Sequence, residues 1–168
     1  MRSRREISTS RLRNFVFGVE DSLVSTVGLL SGIAIANTPS RIIFLTGAVL
    51  IFVEAFSMAI GAFLSESSAD EYATRVNASS AQNALDGAIM FLSYFISGFV
   101  PLFPYMIFPV SSALWISITL SLCALFLLGA TVGRFAHLGI LRGGLRMCVI
   151  GGLAILAGSA IGGFLNKF

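Results

Sequence analysis

The sequence predicts an all-α integral membrane protein with five spanning helices, the N-terminus in the cytoplasm and the C-terminus outside. Three observations carry this. Of 168 residues, 56% are hydrophobic and only 11% charged, against roughly 25% charged in a soluble domain, so there is too little charge to cover a water-facing surface. The apolar residues fall into five runs long enough to cross a bilayer, which takes ~20 residues of helix. The basic residues collect on alternate connections between those runs.

The runs cover about 14–36, 41–65, 87–108, 111–133 and 143–165, with a loop expected over 66–86, and together they read as a single membrane domain over 1–168. Helices are expected because every backbone amide in lipid needs an internal partner, and a closed barrel would alternate where these runs are continuous. The first run follows Arg2, Arg4, Arg5, Arg11 and Arg13. It is about twice the length of a signal-peptide core and is read as a retained span. Asn37-Thr38-Pro39-Ser40 forms a tight turn, with Pro39 placed to start the second helix. Pro101, Pro104 and Pro109 punctuate the third span and its exit.

Orientation follows from counting. Five arginines precede the first span, Arg75 lies in the 66–86 connection, and Arg134, Arg142 and Arg146 surround the last one, nine in all; only Arg41 and Lys167 fall on the other side. The basic side is the cytoplasmic one. The net charge of +3 is therefore a topology signal, and nucleic acid is not an expected partner. Cys123 and Cys148 have no CxxC spacing and read as small buried hydrophobes. His137 stands alone near Arg134 and Arg142 and reads as interfacial.

Charged groups inside spans are costly, by ~2.5–3.5 kcal/mol for Asp at a helix centre, and Glu20, Asp21 and Glu54 are the candidates. At 100° per residue, Gly18, Asp21, Ser22, Ser25, Gly28 and Gly32 share one face of the first helix, while Glu20 points elsewhere. On the second helix Gly47, Glu54, Met58, Gly61 and Ser65 share a face. A carboxylate one turn from a thioether favours a transition metal over a hard cation, which prefers oxygen alone. The two helices run antiparallel, and Asp21 and Met58 each lie about seven residues, ~10 Å, from the cytoplasmic end. A metal ion is thus expected to meet Asp21 and Met58, then Glu54 one turn deeper, with Gly18, Ser22, Ser25 and Gly61 lining its path. Glu66 and Asp70, one turn apart if the second helix continues, are placed to collect the ion from the cytoplasm. Gly144, Cys148, Gly151, Ile155, Gly158 and Gly162 form a packing seam on the last helix. No HExxH, nucleophile elbow or Cys–His pair suggests an enzyme.

The run Phe17-Gly18-Val19-Glu20-Asp21-Ser22-Leu23-Val24-Ser25-Thr26, with Gly28-Leu29 and Gly32, resembles the first helix of the vacuolar iron transporter family. Glu54-Ala55-Phe56-Ser57-Met58-Ala59-Ile60-Gly61-Ala62-Phe63-Leu64-Ser65 is similar to its second helix, Pro101-Leu102-Phe103-Pro104 to its third-helix exit, and Leu145-Arg146-Met147 with Gly151-Gly152 to its last helix. The resemblance implies export of ferrous iron, and often manganese, from the cytoplasm by proton antiport, with no permanently bound cofactor. It implies a homodimer in a membrane, with the pathway near the subunit interface, and Asp21 and Met58 as the family's intramembrane aspartate and methionine. The expected location is the prokaryotic plasma membrane. Three departures stand out: Ser22 follows Asp21 where the family has glycine, Gly61-Ala62-Phe63 lacks a glutamate, and the 66–86 connection replaces a large glutamate-rich domain. The competing expectation is a non-transporting membrane scaffold or partner-binding subunit derived from the same family.

Overall fold

The structure, a computed structural model, describes residues 4–74, 80–137 and 139–167. The chain forms α1 (Arg4–Ile35), α2 (Ser40–Thr74), α3 (Ser80–Leu102), the short α4 (Pro104–Ile107), α5 (Val110–Phe135) and α6 (Ile140–Leu165), with no strand among the described residues. Five of these are long and apolar enough to cross a membrane: Ile7–Ile35, Ser40–Tyr72, Ala81–Leu102, Val110–Phe135 and Ile140–Leu165.

Three elements differ from the sequence expectation, the first being α1, which begins at Arg4, ten residues before the expected span. The 66–86 connection is helical at both ends, because α2 runs on to Thr74 and α3 begins at Ser80. Its polar residues belong to helix ends that outlast the apolar runs, since loss of hydrophobicity does not itself stop a helix. Arg75 lies outside the described residues. The third span, expected to reach Phe108, stops at Leu102. Pro101 and Pro104 each lack the N–H that would continue the ladder, and Ser117 of α5 donates to the Pro101 carbonyl at 2.7 Å. The turns use left-handed residues where chain reversal needs them: Asn37 (φ 59°) after α1, and His137 (φ 55°) and Gly139 (φ 93°) between α5 and α6.

α1 is the central helix, packed against α2, α3, α5 and α6. Its buried Leu30 packs in one cluster with Ile43, Ile51 and Leu102, and its buried Leu23 in another with Leu125. The expected glycine seam on α6 faces α1. A methyl group added at Gly158 would overlap the Gly28 carbonyl, and one at Gly162 the Gly32 carbonyl. Gly129 and Gly143 make the equivalent approach between α5 and α6. These contacts are backbone to backbone, so no rotamer change relieves them. Gly158→Leu is expected to cost ~3 kcal/mol, at the upper end of overpacking, read as a lower melting temperature in detergent, whereas Gly152→Ala, which has open space around it, leaves the melt unchanged.

Large apolar side chains cover much of the outward surface. On α2, Phe52, Val53, Phe56, Ile60 and Leu64 are exposed, which a membrane tolerates, since hydrocarbon solvates such side chains as well as a core does.

Candidate metal site

The site forms where α1, α2 and α3 meet. Asp21 and Glu54 are each partly exposed, and their carboxylates act on one another electrostatically across the α1–α2 pair. Both also act on Tyr94 of α3. Tyr94 is fully buried; its hydroxyl shares a 2.8 Å hydrogen bond with Ser25 Oγ, one turn beyond Asp21 on α1. Neither Asp21 nor Glu54 has a cationic or hydrogen-bonding partner among the described residues. Two acids on neighbouring spanning helices thus lie within electrostatic reach of each other, with a phenol within reach of both. The arrangement is unfavourable when empty, because repulsion grows as the dielectric falls. A dication relieves it by neutralising both groups at once.

Tyr94 was not a sequence candidate. Its signal was faint: Ser93, Tyr94 and Ser97 make the only polar step in an otherwise apolar stretch of α3, and both serines spend their hydroxyls on carbonyls of their own helix. Tyr94→Phe keeps the ring packed and deletes the oxygen. It is expected to weaken metal binding about fivefold, near the ~1 kcal/mol of one hydrogen-bonding group, as read by a metal titration.

The remaining candidates divide. Met58 lies one turn past Glu54 and is partly buried. Gly18 is buried in the α1–α3 seam, where a methyl group would meet Ser93 Oγ. Ser22 is likewise fully buried there and donates to the Tyr94 carbonyl at 2.6 Å. Gly18 and Ser22 therefore set the α1–α3 spacing and hold Tyr94 in place. Gly61 is exposed, with nothing from this chain within 4 Å of an added methyl group.

Glu66 and Asp70 stand apart from the carboxylate pair. Glu66 is 4% exposed; it accepts a hydrogen bond from Ser10 and pairs with Arg13, both on α1. Asp70 is partly exposed and also engaged. Nearby, Asp86 of α3 pairs with Arg11 at 3.7 Å, and Asn83 donates to Ser67 at 3.1 Å. This buried polar layer ties the start of α1 to the end of α2 and the start of α3. Among the described residues no three His, Cys, Asp or Glu side chains form a group that could hold a metal. One chain thus offers two carboxylates, a phenol and a neighbouring thioether.

Compared with known proteins, the chain is matched by the model of the VIT family in two stretches, residues 12–84 and 74–163, which overlap around the α2–α3 connection and take in most of every spanning helix. No curated protein matches it.

Proposed function

The chain belongs to the VIT family of membrane metal-ion transporters, and from that premise we propose that it exports a divalent transition metal, ferrous iron or manganese, in exchange for protons. The observation that supports this most is the unneutralised pair Asp21 and Glu54 beside Tyr94. A carboxylate pair binds a dication when ionised and releases it when protonated, so protons and metal compete for the same oxygens. Met58, one turn away on α2, supplies the soft donor that discriminates against calcium and magnesium.

The metal enters on the side that holds the N-terminus, which the arginine excess makes the cytoplasm. There Asp70 is partly exposed, and Glu66 joins it in receiving the ion only as the metal displaces Arg13. In this reading the protein is a homodimer. The exposed α2 face with Ser57 and Gly61 suits close approach of a second copy, which would complete the coordination that one chain leaves short. The membrane is the plasma membrane of a prokaryotic cell.

A competing reading is a scaffold that has kept the fold and lost transport. The observation in its favour is that Glu66 is enclosed by Arg13 and Ser10, and the resemblance adds that Ala62 takes the place of a glutamate usual in the family. Proteoliposomes with an imposed pH gradient separate the two. The transporter moves ferrous iron or manganese with opposite proton flux and leaves calcium behind; the scaffold moves none of them.

A further inference from the structure

The second half of the chain carries arginine without any acid: no Asp or Glu occurs from 87 to 168. Two of its arginines, Arg142 and Arg146, lie one turn apart near the start of α6, both exposed. Neither makes an ion pair among the described residues. At 100° per residue, Val149, Leu153 and Leu156 fall within about 40° of Arg142 around the same helix. All three are more than 60% exposed. The packed face of α6, with Gly144, Met147, Gly151 and Ile155, is elsewhere.

This outer face has the shape of a phospholipid: two guanidiniums without an ion pair among the described residues, then an apolar strip. From Arg146 to Leu156 the helix rises ~15 Å, half the ~30 Å hydrocarbon core and so the depth of one leaflet. Guanidinium binds phosphate oxygens in a bidentate fork. An ordinary topology-setting arginine needs no register with an apolar strip below it.

We propose that Arg142 and Arg146 bind the headgroup phosphate of an anionic phospholipid whose acyl chain lies along Val149, Leu153 and Leu156. The lipid occupies the leaflet on the side where α1 begins, because five spans place the α5–α6 turn there. This site is independent of Asp21 and Glu54 and does not depend on metal transport.

Native mass spectrometry of the full chain released from detergent, with phosphatidylglycerol and phosphatidylcholine of the same chains at equal concentration, tests it. The parent should retain phosphatidylglycerol in preference to phosphatidylcholine. Arg142→Gln/Arg146→Gln should lower that retention roughly thirtyfold, from the contribution of two arginines near an anionic surface, with helical content unchanged. Arg41→Gln/Lys167→Gln removes the same charge from the opposite end and should leave retention as it was. Arg142→Lys/Arg146→Lys, which keeps charge and loses the fork, should fall between. The proposal is overturned if the parent holds both lipids equally, if the two double glutamine variants behave alike, or if Arg142→Gln/Arg146→Gln abolishes self-association of a parent that retains no lipid.

Discussion

Asp21→Asn is expected to abolish metal transport and to raise the melting temperature of the metal-free protein. Both effects come from one cause. Asp21 and Glu54 repel each other and have no cationic partner among the described residues. Replacing one carboxylate by a neutral amide of the same shape removes that repulsion, so the empty fold gains. The same change takes one of two charges from the dication, a loss on the order of 3 kcal/mol or ~100-fold in affinity. Glu54→Gln should behave alike. A thermal melt with and without manganese reads both effects at once: the parent gains stability on adding metal, and the two variants start higher and gain nothing. If Asp21→Asn instead melts lower and still transports ferrous iron, Asp21 is a structural residue.

The spans were readable because membrane helices are defined by apolar length, which is local information. So was the polar face of α1, since Gly18, Asp21, Ser22 and Ser25 recur at helical spacing. The roles within that face were less readable. Gly18 and Ser22 share it with Asp21, yet they are buried against α3, because the face is wide enough to meet α2 on one side and α3 on the other. Periodicity gives a direction around one helix and says nothing of where a second neighbour stands. Tyr94 was missed for that reason. The surroundings of Glu66 were hidden for another: its partner Arg13 is 53 residues away in sequence, and an acid at the end of an apolar run looks solvated until the adjoining helix is in place. The pairing of Arg11 with Asp86 was hidden in the same way.

Arg13→Ala is the second large effect. Glu66 is nearly enclosed while Arg13 reaches solvent, so deleting the arginine strands a charge that the fold has already desolvated. Breaking a fully buried pair costs ~3–5 kcal/mol; with the exposed partner screened, ~2–3 kcal/mol is expected here. The loss should appear as a lower melting temperature and as earlier proteolysis near the α2–α3 connection. Arg13→Leu/Glu66→Leu removes both charges and should recover most of the stability, because an apolar pair in this layer has nothing to desolvate. Were the double variant as unstable as Arg13→Ala, Glu66 would be held by Ser10 and its own helix, and the ion pair would be incidental. Transport in Arg13→Ala, measured below its melt, tells whether Glu66 without its arginine attracts metal: a lower apparent KM for manganese is expected, because the acid loses a cationic partner.

The central claim is that Asp21 and Glu54 together hold one divalent cation. The most direct measurement is manganese binding to the purified protein in detergent, followed by the loss of the free-ion signal in electron paramagnetic resonance. One manganese ion bound per chain in the parent, with binding weakened ~100-fold in Asp21→Asn and in Glu54→Gln alike, is the predicted result. Unchanged binding in both variants, or none in the parent at millimolar metal, would contradict it.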